Sequence, residues 1–271
     1  MKPLSEAIAR CQEADALLIT AGAGMGVDSG LPDFRSNEGF WNAYPPYRRL
    51  GMSFIEMACP DRFVREPEIG WGFYGHRLDL YRSAVPHAGF SMVKAFGETL
   101  AKGCFVFTSN VDGHFQRAGF AADHLVECHG SIHHLQCFEK CQDEIWAADG
   151  LEIEVDPVTM KLLSPLPKCP HCSGLARPNI LMFGDWDWNQ ARTAAQVQRL
   201  AQWQESLADS RVVILEFGAG TGVPTVRNFS ERTATAVNGT LIRVNPREPE
   251  IPGDQGISLP LGALAGIEAL L

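Results

Sequence analysis

Four cysteines form two close pairs, which together could bind a metal ion. Three residues separate Cys137 from Cys141, two separate Cys169 from Cys172, and residues 142–168 lie between the pairs. Zn²⁺ in structural sites prefers four tetrahedral thiolates, and such spacing lets two cysteines reach one ion. The pattern therefore predicts a closed zinc site that holds a small module together and has no open position for catalysis. The alternatives are free reduced thiols, or the replacement of one ligand by a nearby histidine: His133, His134 or His171.

Two glycine-rich loops each follow a short apolar run. The first extends from Gly22 to Gly26 after ALLIT, and the second from Gly218 to Gly222 after VVILEF. Glycine lets the backbone approach a ligand closely, and a pyrophosphate can accept hydrogen bonds at the start of the next helix. Val27 stands where the fingerprint G-x-G-x-x-G has its third glycine, so the first loop alone also fits a tight strand-to-helix turn. Two such loops at the same ends of parallel strands would face one crevice, which favours a nucleotide.

Short apolar runs are the candidate strands that would position these loops. Most lack polar alternation, which is typical of strands buried on both faces of a parallel sheet. Helical segments lie between several of them; in the clearest, 189–208, one face contains Val197, Leu200, Trp203 and Leu207. The alternation predicts a doubly wound α/β fold with a parallel sheet. The six runs are 16–20, 104–108, 125–128, 179–183, 212–217 and 240–244.

Two regions break this alternation and are predicted to form a smaller inserted module. Residues 36–86 are rich in aromatic residues, proline and arginine and have no clear strand, whereas 134–176 contain the cysteine pairs and several prolines. The remaining segments, 1–35, 87–133 and 177–271, are predicted to form the nucleotide-binding domain.

Composition and charge argue against several classes of partner. The 271 residues are 45% hydrophobic and 20% charged, which is typical of a globular protein. A net charge of −9 disfavours general attraction to nucleic acid or anionic lipid, and no apolar run is long enough to span a membrane. Glu6 lies where a secretion signal needs an apolar core, so we expect a cytoplasmic protein with reduced cysteines. The four cysteines without partner spacing are then interpreted as buried apolar thiols: Cys11, Cys59, Cys104 and Cys128.

Further motifs resemble one family. AGAGMGVDSGLPDFR at 21–35 resembles the NAD-binding signature of the sirtuins, which are NAD-dependent protein lysine deacylases. TSNVD at 108–112 resembles the family's Thr-Gln-Asn-Ile-Asp, and His129-Gly130 resembles its catalytic His-Gly. These matches follow the family's order over roughly residues 10–250, and the set looks like a divergent bacterial-type member. The other matching segments are the two cysteine pairs, Arg177-Pro178, Phe183-Gly184-Asp185, 218–224 and Asn245-Pro246.

The resemblance implies a Rossmann-like domain that takes NAD as co-substrate, a structural Zn²⁺, and a set of site residues. His129 would be the general base that removes a proton from the ribose after the acyl oxygen of the modified lysine has displaced nicotinamide. An unperturbed histidine pKa near 6.5 suits that role. Asn110 and Asp112 would hold the nicotinamide end, and Asn110 is also implied to be a catalytic residue. Arg35 would lie on a mobile loop that closes over NAD. The implied NAD contacts are Ala21, Gly22, Gly24, Asp33, Phe34, Arg35, Ser109, Asn110, Asp112, Gly218, Gly220, Thr221 and Asn245.

The acyl-lysine protein substrate is implied to contact Tyr74, Arg77, Phe183 and Gly184. Tyr74 and Arg77 resemble the sirtuin pair that recognises succinyl or malonyl groups, since residues i and i+3 share a helix face and arginine pairs bidentately with carboxylates. The alternative for this pair is an amphipathic surface helix with a solvated arginine. Deacylation is the function that the motifs favour. An ADP-ribosyltransferase or NAD hydrolase, and a non-catalytic NAD-sensing protein, remain as alternatives.

Overall fold

The computed structural model describes residues 2–33, 37–253 and 256–271, and within them nine strands and eleven α-helices follow one another. Two 3-10 helices, Ala23–Ser29 and Ala122–His124, complete this part of the chain. The strands are β1 (Ala16–Ala21), β2 (Cys104–Thr108), β3 (Leu125–Glu127), β4 (Gly130–Cys137), β5 (Ile145–Ala147), β6 (Ala176–Ile180), β7 (Val212–Phe217), β8 (Thr240–Val244) and β9 (Gly256–Leu259). The helices are α1 (Lys2–Gln12), α2 (Asn37–Ala43), α3 (Pro45–Arg49), α4 (Phe54–Met57), α5 (Asp61–Arg65), α6 (Pro67–Ser83), α7 (Ala88–Thr99), α8 (His114–Arg117), α9 (Ala191–Glu205), α10 (Thr225–Ala236) and α11 (Ala263–Leu270).

The larger sheet contains six parallel strands in the order β3-β2-β1-β7-β8-β9. The strand order reverses between β1 and β7, which is the switch point where open α/β sheets bind ligands. Ala21 is in register with Thr108 of β2 and with Phe217 of β7, so the ends of these strands are aligned. The loops that leave them therefore share one edge of the sheet.

Apolar residues on both faces of this sheet hold the helices against it. All six residues of β1 are buried. Leu17 and Ile19 pack in a core with residues of α1, α7 and α11, whereas Leu18 packs on the opposite face with residues of α9 and α10. Burial of each such side chain stabilises the fold by about 1.5–3 kcal/mol. The predicted doubly wound α/β fold is confirmed.

A second region, here called the small module, consists of α2–α6 and the antiparallel sheet β5-β4-β6. Its core is strongly aromatic, and Phe40 and Phe73 are fully buried within it. Helix α6 packs so closely on the loop between β5 and β6 that a Cβ at Gly72 would lie 1.9 Å from the carbonyl oxygen of Met160. This contact explains a glycine in the middle of a 17-residue helix.

Several predictions about individual elements are corrected. The run 179–183 is not a strand of the parallel sheet, because the strand there is Ala176–Ile180 and it pairs antiparallel with β4. Strand β9 was not predicted, and Val197 of α9 is 45% exposed although Leu200 is buried. Among the cysteines without partner spacing, Cys11 is buried and the other three are half-buried: Cys59, Cys104 and Cys128.

The small antiparallel sheet also bears on the proposed domain boundaries. Strand β4 starts at Gly130 and β6 ends at Ile180, a few residues outside the predicted 134–176 insertion. The second sheet thus extends across both predicted boundaries of the 134–176 insertion. The division of the chain into two domains stays a proposal. Among the described residues, no helix is long and apolar enough to cross a membrane.

Candidate active site

The end of β1 is tied to the end of β2 by a short chain of hydrogen bonds. The Thr108 hydroxyl donates to the Ala21 carbonyl at 2.9 Å, and Ser109 N–H donates to the same carbonyl at 3.1 Å. Asn110 Nδ2 donates to the Gly22 carbonyl at 3.0 Å, and Asn110 N–H donates to Thr108 Oγ1 at 3.0 Å. The half-buried Asn110 amide is therefore held directly beside the first glycine loop.

The two glycine loops meet at the switch point, as the sequence predicted. Gly22 N–H donates to the Phe217 carbonyl at 2.9 Å, and Gly24 N–H donates to the Gly218 carbonyl at 3.1 Å. A Cβ at Gly218 would lie 2.3 Å from Gly24 Cα, and its φ of +57° belongs to the left-handed region. A Cβ at Gly22 would lie 2.8 Å from Ala219 Cα. Both glycines are required for this backbone-to-backbone contact between the two loops.

Asn245, at the end of β8, stabilises the loop beyond the second glycine run. It is fully buried, its Nδ2 donates to the Ala219 carbonyl at 2.9 Å, and its Oδ1 accepts from Arg247 N–H at 3.0 Å. Thr221 Oγ1 bonds to the carboxylate of Glu248. A cavity of about 530 Å³ opens beside Thr221, lined in part by three carboxylates: Glu231, Glu248 and Glu250. Carboxylates suit hydroxyl groups rather than phosphates, so this cavity fits a ribose better than a pyrophosphate.

Asp112 is a buried carboxyl group two residues after Asn110. It is 7% exposed, and its Oδ1 accepts from His114 N–H at 2.9 Å. Burial raises the pKa of Asp112 to about 6. His133 approaches the same residue from β4, with Nε2 2.8 Å from the Asp112 carbonyl oxygen. The carboxyl group is thus fixed in position and poised to exchange hydrogen bonds with an amide.

His129 follows β3 at the same edge of the sheet. Thr108 of β2 is in register with Glu127 of β3, so Asn110 and His129 occupy equivalent positions two residues beyond that pair. The imidazole is half-buried, its Nε2 lies 3.3 Å from Thr225 Oγ1, and burial lowers the pKa of His129. A histidine with a lowered pKa is neutral at pH 7 and can accept a proton.

The predicted substrate segment lies next to His129. Leu181 N–H donates to the His129 carbonyl at 2.9 Å, and Phe183 N–H donates to the Ala58 carbonyl at 2.9 Å. Buried Arg177 forms an ion pair with Asp185 that closes this segment into a loop. Phe183 is 37% exposed at the surface of that loop, followed by Gly184 at a φ of +66°. The loop therefore presents an exposed ring close to the histidine.

Tyr74 and Arg77 lie on the inner face of α6. They are 1% and 7% exposed, so the interpretation of this segment as a surface helix with a solvated arginine is wrong. The Arg77 guanidinium lies 5.6 Å from the Tyr74 ring centroid and 5.2 Å from that of Phe73. It also donates two hydrogen bonds to the Tyr81 hydroxyl, at 3.1 and 2.8 Å. The structure thus places a buried cation among aromatic rings and against the Tyr81 hydroxyl.

The four paired cysteines converge although two of them are exposed. Their sulfur atoms all lie within 4.8 Å of one another; Cys137 Sγ is 3.7 Å from Cys172 Sγ, and Cys141 Sγ is 3.5 Å from Cys169 Sγ. Sulfurs around a tetrahedral zinc at about 2.3 Å are about 3.8 Å apart, so this cluster fits the ion. The neighbouring His171 bonds to Glu144 instead, and His133 faces Asp112. The geometry favours four thiolates over a histidine ligand.

The remaining predicted residues differ in how far the structure describes them. Asp33 lies 3.5 Å from the exposed Arg247 in an ion pair. Phe34 and Arg35, predicted to contact NAD, lie outside the described residues. Thr225 was missed by the sequence analysis, because it is 96 positions from His129 and belongs to no motif. Only the packing of α10 against the sheet brings it to the site.

The fold and site define a doubly wound α/β protein with two glycine loops at the switch point of its sheet and a four-cysteine cluster in its small module. The family model for the Sir2 family matches residues 22–207. An NAD-dependent protein deacylase of Thermus thermophilus is 30% identical over all of this chain and 95% of its own length, and one of Aquifex aeolicus is 29% identical over 87% of this chain and 85% of its own. A solved Sir2 homologue in complex with NAD matches with a TM-score of 0.72 at 23% identity, covering 98% of this chain and 91% of that one. The chain belongs to the Sir2 family, and the predicted sirtuin resemblance is confirmed.

Proposed function

We propose that this protein is an NAD-dependent protein deacylase that transfers the acyl group of an acyl-lysine side chain to ADP-ribose and releases nicotinamide and free lysine. The observation that carries the proposal is the placement of Asn110 and His129 at equivalent positions of neighbouring strands, beside two glycine loops at the switch point. A protein that only binds NAD has no need for a neutral imidazole at that edge. The relatives named above carry the same activity in their names.

NAD would supply an activated ribose carbon with nicotinamide as its leaving group. Gly22, Gly24, Gly218 and Gly220 would contact the pyrophosphate where the two glycine loops meet, and Asn245 with Thr221 would lie at the adenosine end. Asn110 and Asp112 would hold the carboxamide end through hydrogen bonds. Loss of one such partner leaves a buried polar group unpaired, at a cost of about 1–3 kcal/mol. The remaining proposed NAD contacts are Ala21, Asp33, Phe34, Arg35 and Ser109.

His129 would act after nicotinamide has left. Its imidazole is neutral at pH 7 because burial lowers its pKa, so it can take a proton from a ribose hydroxyl. The freed oxygen would then receive the acyl group. The backbone of the loop at Phe183 and Gly184 would pair with an extended peptide that carries the acyl-lysine. The partners would therefore be proteins, with neither nucleic acid nor a membrane required, and a cytoplasmic location stays our expectation.

The zinc ligands in this proposal are the four clustered cysteines, Cys137, Cys141, Cys169 and Cys172. Four thiolates complete the coordination of Zn²⁺, so the ion would stabilise the small module and would take no part in the reaction. Cys137 ends β4, and the same strand runs back to Gly130, next to His129. The zinc would thus stabilise a strand that adjoins the proposed base.

Arg77 would set the preference for the acyl group. Its buried guanidinium, bonded to the Tyr81 hydroxyl and close to the Tyr74 ring, would neutralise an acidic acyl chain such as succinyl or malonyl. An acetyl group offers no such carboxylate. We therefore propose that the enzyme removes acidic acyl groups in addition to acetyl groups.

One assay tests the deacylase function. The purified protein is incubated with NAD and with acetyl-, succinyl- or malonyl-lysine peptides, and the products are identified by mass. O-acyl-ADP-ribose together with free peptide is the expected result. ADP-ribosylated protein would instead indicate an ADP-ribosyltransferase, and free ADP-ribose would indicate an NAD hydrolase. Unchanged NAD would indicate a protein that binds NAD without catalysis.

A further inference from the structure

We propose that Thr225 is a positioning residue for His129: its hydroxyl oxygen accepts a hydrogen bond from Nε2–H and so leaves Nδ1 as the nitrogen that takes the proton. This inference rests on the proposed deacylase function and concerns the same site. Its starting observation is the 3.3 Å distance between His129 Nε2 and Thr225 Oγ1.

The tautomer argument follows from the two ring nitrogens. A neutral imidazole carries one N–H, and the hydrogen bond at one nitrogen decides which of the two is protonated. Within the described residues, Nδ1 of His129 makes no hydrogen bond, whereas Nε2 faces Thr225. If the threonine hydroxyl donated to Nε2 instead, the lone pair of that nitrogen would be occupied and Nδ1 would carry the hydrogen. When Thr225 accepts the hydrogen bond from Nε2–H, Nδ1 keeps its lone pair and can act as the base.

The position of Thr225 is set by the fold around it. Thr225 is the first residue of the 12-residue α10, directly after Pro224, and half-buried. Val226, the next residue, is buried in the core on the α9 and α10 face of the large sheet. Ser230, one turn further along, bonds to Thr20 of β1 at 2.8 Å. These contacts fix the first turn of α10 against the sheet and so keep Thr225 beside His129.

Within the described part of the chain, no charged side chain on the elements around His129 forms a hydrogen bond with its ring in place of Thr225. Cys128 precedes it, and burial raises the pKa of that thiol to about 12, so it stays neutral. Titratable groups on the neighbouring elements bond elsewhere: Glu127 with Arg192, His133 with the Asp112 carbonyl, Arg177 with Asp185, Arg199 with the Asp123 carbonyl, Arg227 with backbone carbonyls, Glu231 with Arg243 and Arg232 with the Asn228 carbonyl. Glu205 is exposed at the far end of α9. His134 lies further along β4, and burial lowers its pKa to about 4, so it is neutral.

The proposed proton transfer uses both nitrogen atoms of the His129 ring. The O–H bond of the ribose hydroxyl breaks, and its proton forms the new N–H bond at Nδ1. The resulting imidazolium keeps Nε2–H on Thr225 Oγ1, and this bond strengthens because its donor is now charged. Thr225 would therefore stabilise the protonated base and hold the orientation of the ring.

The test compares Thr225→Val, which keeps the shape and removes the hydroxyl, with Thr225→Ser, which keeps the hydroxyl. We expect T225V to lower the deacylation rate about 10- to 100-fold, the effect of a lost hydrogen bond to a charged group, and T225S to stay within about threefold of wild type. Exchange of labelled nicotinamide into NAD precedes the use of the base and should be unchanged in both. The acid limb of the rate against pH should move to lower pH in T225V, because its imidazolium is less stabilised. Thr235→Val, the same change further along α10, is the matched control and should match wild type.

A second readout needs neither NAD nor activity. Nitrogen-15 NMR of the His129 ring in the free protein should show Nε2 protonated in wild type and T225S, and a mixture of tautomers in T225V. Wild-type kinetics and an unchanged tautomer in T225V would overturn the inference, as would nicotinamide exchange that falls in parallel with deacylation. A wild-type protein that removes no acyl group would instead overturn the proposed function, and the NMR measurement would still decide the tautomer.

Discussion

The large sheet and the small module are built on different principles. In the large sheet, aliphatic strands are buried on both faces, and the site lies where their ends are aligned. In the small module, short helices pack aromatic rings around a buried arginine, and four cysteines converge in one cluster. In the proposed function, the sheet would supply the chemistry of NAD through its backbone and edge residues, whereas the module would supply recognition of the acyl group. The following experiments test that division.

The largest expected effect concerns the sheet. His129→Ala should lower deacylation by about 10²- to 10⁴-fold, the usual contribution of a general base, while nicotinamide exchange continues. Initial rates of peptide release and of labelled nicotinamide exchange measure the two steps. His124→Ala, which changes an exposed histidine of the same region, is the control. Undiminished peptide release in His129→Ala would remove the histidine from the reaction.

The next largest effect concerns the proposed zinc site of the small module. Cys172→Ser removes one thiolate, so bound zinc should fall from one ion per chain toward none and the thermal midpoint should fall by roughly 5–10 °C. Elemental analysis and thermal unfolding measure these quantities. Cys59→Ser, outside the cluster, should keep both values. A protein that keeps its zinc after the change would contradict the ligand set.

The proposed recognition of the acyl group by the small module is tested by a change at Arg77 of α6. Arg77→Met removes the buried guanidinium, and we expect the rate on succinyl-lysine to fall about 10- to 100-fold more than the rate on acetyl-lysine, because only succinyl needs the ion pair. The ratio of kcat/KM on the two peptides is the measurement. Arg82→Met, on the same helix, removes hydrogen bonds to the carbonyls of Leu151 and Ala148 and should affect both peptides alike. An equal loss on both substrates in Arg77→Met would end the proposal of an acidic acyl pocket.

The smallest expected effect concerns the contact between the two glycine loops. Gly218→Ala places a Cβ 2.3 Å from Gly24 Cα at a φ of +57°, so the two loops must separate. We expect the free energy of unfolding to fall by about 1–3 kcal/mol and the affinity for NAD to weaken. Thermal unfolding and titration with NAD measure this. Gly222→Ala, where a Cβ meets nothing within 4 Å, should leave stability unchanged. Equal effects of both changes would argue that loop entropy, not contact, explains the glycines.

The same contrast explains how far the sequence could predict the structure. Three strands of the large sheet are predicted to the residue, for example 104–108 and 212–217, because burial on both faces produces uninterrupted apolar runs. Strand β9 was missed because it is a short edge strand with alternating burial. The run 179–183 was assigned to the wrong sheet, since an apolar run does not say which strand it pairs with.

The sequence by itself determined the family, the fold class, the cysteine pairs and the motif residues, because each depends on residue type and local spacing. Only the tertiary structure decided which groups meet. It brought Gly218 against Gly24, buried Arg77 among aromatic rings and placed Thr225 beside His129. These contacts join residues up to 194 positions apart in the printed sequence, 24 to 218, and no local pattern encodes them. They follow from the strand order and from the packing of helices on the sheet, which are properties of the whole chain.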